Sequence, residues 1–167
     1  IGNPAPEAIP VEVIEKAFDE VVHSNPMSLL QYGPMQGDAR LAELTLERLV
    51  KTHKMNPEGQ GLIISNGAGQ LLGLVPITVL EPGDEVYMDE FTFTSAINSV
   101  RNMGGKALGI KTDEYGMIPS ELEKAAQSGK GKYIYLIPNF QNPTGITMPL
   151  ERRKEIYAIA SKYDLFI

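Results

Sequence analysis

The sequence predicts an α/β fold in which a mainly parallel sheet carries helices on both faces. Short apolar runs alternate along the chain with longer segments whose apolar residues recur at helical spacing. Turn-forming Gly, Pro, Asn and Asp residues separate the two kinds of segment. Such alternation implies right-handed crossover connections, which place helices against both sides of a parallel sheet.

The predicted helices begin at recognisable start signals. A first amphipathic helix follows Pro10, because the apolar residues among 11–22 recur at helical spacing, and a loop is expected over 23–37. Asp38 is predicted to cap a second helix that ends near Lys54. Further helices are expected over 70–80 and 93–103, after Pro119, and from Pro149 to about Tyr163. The charged run 151–155 is expected to form a solvated helix face.

Short apolar segments between these helices are predicted to be strands, at 62–65, 85–89, 107–110, 132–137 and 165–167. In open α/β sheets, ligands bind where the strands end, at their carboxyl edge. Because the loops at 67–70, 91–93 and 139–145 each follow a predicted strand, we expect them to share one edge of the sheet.

Composition narrows the classes of function. The net charge is −6 and the pI is about 5.0, which disfavours nucleic acid or an anionic membrane as a partner. The chain has no cysteine, so disulfides and thiolate metal sites are excluded. Its two histidines do not have metal-ligand spacing, so no metal is expected. The longest apolar stretch, Leu71–Leu80, is too short to span a bilayer.

Both ends of the chain are unusual for a natural domain. It begins at Ile1 without a methionine and finishes in an apolar, extended segment at Ile167. Natural domains seldom start and stop in this way. The sequence is therefore expected to be a fragment of a longer protein.

The segment Asn139–Gly145 is the most informative motif. It follows the predicted strand 132–137, and its Asn, Pro and Gly residues break the apolar pattern, which places a loop at the carboxyl end of that strand. A loop that presents the carboxamide of Asn142 on a rigid backbone can hold a polar ligand group still. The alternative is an ordinary structural turn, since Asn-Pro and Thr-Gly pairs are common in turns.

A second candidate site is the segment Gly67–Gln70, between a predicted strand and a predicted helix. Small residues let the backbone approach a ligand, and the free amides of a helix N-terminus attract an anion. A tight turn is the structural alternative. A dinucleotide site is another, because the glycines resemble G-x-G-x-x-G with one extra residue before Gly73, and Asp89-Glu90 ends the next strand. The extra residue turns that glycine by about 100°, away from the strand, so a monophosphate is preferred.

Two aromatic residues occupy candidate ligand positions. Phe93 follows the predicted strand 85–89, where a ring can stack on a flat heteroaromatic ligand. A buried core position is the alternative for Phe93 and for its neighbour Phe91. Tyr32 lies in a loop with Gly and Pro, where an aromatic is more often a packing anchor than a ligand contact.

Taken together, these segments resemble the fold-type-I, class I/II aminotransferases, which depend on pyridoxal 5′-phosphate (PLP). The resemblance covers essentially all 167 residues. It runs through a G-x-P segment, Y-G-x-x-x-G, the small-residue loop, P-G-D before a strand, the aromatic, and F-Q-N-P-T-G followed by R-R-K. The chain is most similar to the branch that includes 2-aminoadipate, kynurenine and aromatic aminotransferases.

The resemblance implies a cofactor contact for each candidate residue. The phosphate of PLP would lie on Ala68, Gly69 and Gln70, its ring beneath Phe93, and its phenolic oxygen at Asn142. Two of these positions differ from the commoner family pattern, since Ala68 lacks a hydroxyl group and Phe93 stands where many relatives have tyrosine.

The resemblance also implies substrate and subunit contacts. Gly2 would lie against the substrate carboxylate, and Asn142 would contribute to substrate binding as well. Tyr32 would bond the cofactor phosphate of the second subunit in a cytoplasmic homodimer. Residues 1–37 are accordingly predicted to be an N-terminal segment and dimer-contact loop, and residues 38–167 the first part of the PLP-binding large domain.

Several residues that the family needs for catalysis have no counterpart in this chain. They are the Schiff-base lysine, the aspartate that pairs with the pyridine nitrogen, and the arginine that binds the substrate carboxylate, so no catalytic residue is assigned. We expect part of an aminotransferase that moves an amino group between an amino acid and a 2-oxo acid, and no activity from these 167 residues alone. The alternatives are a non-catalytic effector domain of a transcription regulator, a class that tends to lack the asparagine at 142, and a dinucleotide-binding domain.

Overall fold

The computed structural model of the chain describes residues 4–167. By their internal contacts the residues divide into two compact units, Ile1–Ser65 and Asn66–Ile167. We call them the N-terminal unit and the sheet unit, and each is described by itself. The predicted division into a dimer-contact segment, 1–37, and a PLP-binding part, 38–167, concerns functional roles rather than internal contacts. It stays a prediction.

The N-terminal unit is helical. Its elements are a 3₁₀ turn at Pro6–Ala8 and the helices α1 (Val11–Ser24), α2 (Met27–Leu30) and α3 (Ala39–His53). Asp38 caps α3, because its Oδ1 accepts a hydrogen bond from the Leu41 amide at 2.7 Å, and the predicted cap is confirmed. Helix α1 matches the helix predicted after Pro10, whereas α2 lies in a segment expected to be a loop.

The predicted strand at 62–65 is wrong. Among the described residues this segment forms no strand, and the Ile64 amide instead donates a hydrogen bond to the Gln36 carbonyl at 3.1 Å. The contact is close because residue 37 is a glycine with a φ of +91°, at which a Cβ would overlap Ile64. An apolar run becomes a strand only where a neighbour satisfies its backbone groups, and local sequence does not show that neighbour.

The sheet unit is built on a parallel sheet. Its strands are β1 (Glu85–Asp89), β2 (Lys106–Ile110) and β5 (Gly131–Tyr135), while β3 (Thr112–Asp113) and β4 (Gly116–Met117) form a small antiparallel hairpin. Its helices are α4 (Ala68–Val79), α5 (Thr94–Asn102), α6 (Pro119–Ala126) and α7 (Leu150–Lys162). No helix among residues 4–167 is long and apolar enough to cross a membrane.

Strand β1 lies in the middle of the sheet, in the order β2-β1-β5, and pairs in parallel with both neighbours. The sheet continues past β5, because Tyr133 and Phe166 form a parallel bridge and the Ile134 amide donates to the Phe166 carbonyl at 2.8 Å. The predicted parallel sheet is confirmed, and the bridge agrees with a strand that starts at 165–167.

Helices cover both faces of β1. Successive strand side chains point to opposite faces, so Tyr87 joins an apolar cluster with α6 and α7, whereas Val86 and Met88 join a second cluster with α5 and the end of α4. Burying a side chain such as Val86 or Met88 stabilises the fold by about 1.5–3 kcal/mol. The two clusters confirm the prediction of helices on both faces.

Candidate functional site

The carboxyl end of β1 carries buried polar side chains. Asp89 is 4% exposed and Thr92 is 9% exposed, and neither Asp89 Oδ1 nor Thr92 Oγ1 has a hydrogen-bond partner among residues 4–167. Burial raises the pKa of Asp89, and a hydrogen bond from Gln141 opposes that rise. Burial also raises the pKa of Tyr135, as does the nearby charge of Asp89. Buried polar atoms that lack partners favour this edge as a place where a polar ligand binds.

Phe93 follows this strand end and immediately precedes α5. Its side chain is 38% exposed and that of Phe91 is 61% exposed, so neither ring belongs to the buried core. The core alternative therefore does not hold for either residue. An open ring face at the exit of a strand is suited to stacking on a flat ligand.

The loop Asn139–Gly145 lies beside the same strand end. The side chain of Gln141 is 6% exposed, and its Nε2 donates to the Phe91 carbonyl at 2.5 Å and to Asp89 Oδ2 at 3.3 Å. These bonds join the loop after β5 to the segment after β1. The structure thus brings two of the predicted ligand loops together at the carboxyl edge of the sheet.

Asn142 occupies an exposed position on this loop. Its peptide bond to Pro143 is cis. Within residues 4–167 the Asn142 side chain makes no hydrogen bond. Its carboxamide is therefore available to a ligand at both the donor and the acceptor end.

Arg153 on α7 holds the base of this loop. Its Nη2 donates to Asn139 Oδ1 at 2.7 Å and to the Pro138 carbonyl at 3.1 Å, and its Nε donates to the Met148 carbonyl at 2.8 Å. The expectation of a solvated charged face at 151–155 is therefore wrong for this residue. The guanidinium is the partner of the Met148 carbonyl and adds a second bond to the Pro138 carbonyl, which also accepts from the Met148 amide at 2.9 Å.

The first turn of α4 consists of Ala68, Gly69 and Gln70, all exposed. Gly67 precedes it with a φ of +80°, a conformation that glycine adopts readily. Gln70 Oε1 accepts a hydrogen bond from the Asn66 amide at 2.8 Å, which folds the turn against the helix start. The Gln70 amide donates to the Gly67 carbonyl at 3.2 Å. The amides of Ala68 and Gly69 at the start of the helix can, together with the helix dipole, hold an anion.

The start of α4 lies beside the start of α5. Residues of both helices, among them Gly69 and Ser95, line an open groove of about 380 Å³. Ser95 belongs to the first turn of α5, just after Phe93. This arrangement agrees with the prediction that the three ligand loops share one edge.

Gly73 does not have the role that a dinucleotide site would give it. The third glycine of that motif permits close packing of a helix on a strand. A Cβ at Gly73 would meet no atom within 4 Å, and the preceding segment 62–65 is not a strand. The geometry therefore argues against the dinucleotide alternative.

The other two predicted site residues are not part of the described sheet unit. Tyr32 belongs to the N-terminal unit and is fully exposed, and Gly2 lies outside the described residues. Conversely, sequence reasoning missed Gln141 and Arg153. Gln141 could have been predicted, because it is a polar residue next to Asn142 at the end of a buried strand. No local feature of the sequence predicts the role of Arg153.

The model of the family "Aminotransferase class I and II" matches residues 2–167 of the sequence. The chain belongs to this family. The match spans both units and every described element of this aminotransferase chain.

Named relatives support the same assignment. Aromatic-amino-acid aminotransferase 1 of Thermococcus litoralis is 31% identical over 99% of this chain and 41% of its own length. The crystal structure of Pyrococcus horikoshii kynurenine aminotransferase, in complex with PMP, superposes with a TM-score of 0.94 at 31% identity, over 100% of this chain and 42% of that one. LysN is the α-aminoadipate aminotransferase of Thermus thermophilus, complexed with N-(5′-phosphopyridoxyl)-L-leucine. It gives a TM-score of 0.85 at 29% identity, over 99% of this chain and 41% of that one. This aminotransferase chain spans less than half the length of these relatives.

Proposed function

We propose that the complete protein containing this chain is a PLP-dependent aminotransferase, which moves an amino group between an amino acid and a 2-oxo acid. Family membership and the names of the relatives support the proposal. The observation that carries it is the junction at the sheet edge, where Gln141 ties the loop of Asn142 to the segment that leads into Phe93. Asn142 also favours an enzyme over a transcription regulator, because such regulators tend to lack it.

The first turn of α4 fits the phosphate group of PLP. The amides of Ala68 and Gly69 lie at the positive end of a helix dipole, which suits a dianion without a cationic side chain. Gln70 completes the same turn, with its own amide bonded to the Gly67 carbonyl at 3.2 Å. No Cβ crowds the turn at Gly69, so a phosphate can approach the backbone closely. We assign these three residues to phosphate binding.

Phe93 and Asn142 fit the ring of the cofactor. Phe93 offers a partly exposed aromatic ring, and Asn142 offers an amide group that can donate to the phenolic oxygen of the ring. When bound, PLP supplies the electron sink that amino-group transfer requires. The chain's own residues orient the ring, and Asn142 with Gly2 is assigned to substrate binding; Gly2 lies outside the described residues.

The complete protein is further proposed to be a cytoplasmic homodimer. Tyr32 is fully exposed in its own chain, which leaves its ring and hydroxyl group available to a second subunit. We assign Tyr32 to the phosphate of the partner's cofactor. No residue of this chain is assigned as the nucleophile, and residues 1–167 alone are expected to be inactive.

The experiment uses the complete protein freed of cofactor and titrated with PLP. We expect saturable binding with a visible absorption band, followed by amino transfer from aromatic amino acids, 2-aminoadipate or kynurenine to a 2-oxo acid. The variant Asn142→Ala should bind PLP with a shifted band and lower activity. Asn25→Ala, at an exposed position of the N-terminal unit, serves as a control for the loss of a carboxamide. A complete protein that stays colourless with added PLP would rule the proposal out.

A further inference from the structure

The side chain of Gln141 uses every hydrogen-bonding position of its amide. Nε2 donates to Asp89 Oδ2 and to the Phe91 carbonyl, while Oε1 accepts from the amide of Thr144 at 2.9 Å and from Thr144 Oγ1 at 2.7 Å. A primary amide has two donor hydrogens and two acceptor lone pairs, and here all four have partners. The group is also nearly buried, at 6% exposure. Full satisfaction in a buried position favours a fixed orientation of this side chain.

The backbone of Gln141 closes the loop on itself. Its amide donates to the Ile146 carbonyl at 2.8 Å, and its carbonyl accepts from the Gly145 amide at 2.5 Å. Residues 142–144 are therefore held between contacts of this one residue. Since the Asn142 side chain makes no hydrogen bond within residues 4–167, its position follows from the backbone that Gln141 fixes.

We propose that Gln141 is a positioning residue, which sets the carboxamide of Asn142 against the segment that carries Phe93. The consequence of this positioning is the fit of the PLP ring between Asn142 and Phe93, and that consequence rests on the proposed function. The bracing itself rests on the hydrogen bonds alone. Gln141 is not assigned a contact with the cofactor.

The chemistry of its partners explains why residue 141 is an amide. Asp89 and the Phe91 carbonyl are acceptors, so they require donors, whereas Thr144 presents two donors that require an acceptor. A glutamate of the same length would keep the acceptor side. It would also place a second carboxylate against Asp89 in a buried setting, which is unfavourable unless one of the two takes up a proton.

This reasoning gives Gln141→Glu a pH signature. At about pH 8 both carboxyl groups tend to ionise and repel, which moves the loop and weakens PLP binding about tenfold or more. As the pH falls towards about 5.5, one carboxyl group of the pair takes up a proton and can again donate a hydrogen bond. The ratio of the variant's dissociation constant to that of the wild type should therefore shrink as the pH falls.

The experiment measures the dissociation constant of PLP for the cofactor-free complete protein across this pH range. It compares the wild type, Gln141→Glu, and the control Gln127→Glu, which makes the same change at an exposed site after α6. We expect the ratio to the wild type to be large and pH-dependent for Gln141→Glu and close to one for Gln127→Glu. Wild-type affinity in Gln141→Glu at the alkaline end, or a ratio that does not change with pH, overturns the inference.

Amide hydrogen exchange without cofactor separates this inference from the proposed function. Gln141→Glu should speed exchange of the Thr144 and Gly145 amides, which bond Oε1 and the backbone carbonyl of Gln141, at the alkaline end and leave the strands protected. Unchanged exchange overturns the bracing. If the wild type binds no PLP, the proposed function fails and this measurement still decides the bracing. If Gln141→Glu does not fold, Thr144→Val removes one donor to Oε1. It should weaken PLP binding and speed exchange of the Gly145 amide several-fold less than is expected of Gln141→Glu, and equally across the pH range because valine does not titrate. The absence of both effects overturns the inference.

Discussion

The guanidinium group of Arg152 forms a bidentate salt bridge with the carboxylate of Asp113. Nη2 lies 3.0 Å from Oδ2 and Nη1 lies 3.1 Å from Oδ1, and Nη1 also donates to the Met117 carbonyl at 2.9 Å. The pair fastens the β3–β4 hairpin to α7. Two parallel bonds of this kind fix orientation as well as distance, so the hairpin has one preferred position on the helix.

The Arg152–Asp113 pair should make stability depend on pH. The hydrogen bonds from Arg152 lower the pKa of Asp113. A carboxyl group whose pKa is lower in the folded than in the unfolded chain stabilises the fold above its usual pKa, and the contribution is lost as the pH falls through the folded-state value. Asp113→Asn should therefore lower the urea midpoint at neutral pH and lose less stability on acidification than the wild type.

The matched control for this prediction is Glu114→Gln, which removes a negative charge from the exposed neighbour in the same turn. High salt should reduce the effect of Asp113→Asn, since the pair is partly exposed and screening weakens it. Equal acid sensitivity of the two variants would show that the pair does not contribute.

Arg153→Ala should loosen the loop that carries Asn142. The substitution leaves the Met148 carbonyl without its guanidinium partner, and a buried polar group without a partner costs about 1–3 kcal/mol. The Pro138 carbonyl loses one of its two bonds and keeps the one from the Met148 amide. We expect a lower free energy of unfolding and faster amide exchange at residues 140–148. Lys154→Ala, on an exposed side chain that pairs only with Glu151 in the described part of the helix, should change stability by less than about 1 kcal/mol. Similar losses from the two variants would contradict the assigned anchoring role.

Two glycine substitutions in the sheet unit should have opposite effects on stability, because one glycine is closely packed and the other faces open space. A Cβ at Gly131 would overlap the ring of Tyr87, a fully buried residue whose hydroxyl donates to the Ala125 carbonyl at 3.1 Å. Gly131→Ala should therefore destabilise the protein by about 1–3 kcal/mol. Gly73→Ala adds a methyl group to open space inside α4 and should stabilise it by about 0.4–1 kcal/mol. Denaturant titration of both variants checks the prediction, and a destabilised Gly73→Ala would restore a packing role for that glycine.

Local signals predicted most of the helices and strands because those elements depend on nearby residues. The cap at Asp38 and the proline starts of α6 and α7 lie within one turn of the helices they begin. The segment 62–65 shows the limit of this reasoning, since its apolar character satisfies the strand pattern while its Ile64 amide bonds a loop. Strand pairing depends on residues distant in sequence, and the pattern alone does not contain them.

The candidate site likewise has parts that local sequence predicts and parts that depend on residues distant along the chain. The loop of Asn142 could be placed at a strand end from its sequence, because Asn, Pro and Gly break an apolar run there. The partners of Gln141 could not be predicted, because Asp89 and Phe91 are about fifty residues away along the chain and meet it only through the pairing of β1 with β5. Two of the three acceptors of Arg153 are likewise backbone carbonyls, which leave no mark in the residue pattern.

Ala68→Ser tests where the phosphate of PLP binds. Ala68 is the first residue of α4, and a hydroxyl group there can add one charge-assisted hydrogen bond to a phosphate seated on the exposed amides. Because the position is exposed and the hydroxyl gives up a bond to water, we expect PLP to bind the complete protein about three- to tenfold more tightly. The gain should be absent with pyridoxal, which lacks the phosphate.

The control for this variant is Ala39→Ser, which makes the same change at the first residue of α3. Both serines have the same general effect on a helix start, so a gain in affinity at Ala68 alone isolates the phosphate contact. If Ala68→Ser binds PLP and pyridoxal with the same ratio as the wild type, the phosphate does not lie on this turn. The assignment of Ala68, Gly69 and Gln70 would then be withdrawn, while that of Phe93 and Asn142 would stand on their own measurements.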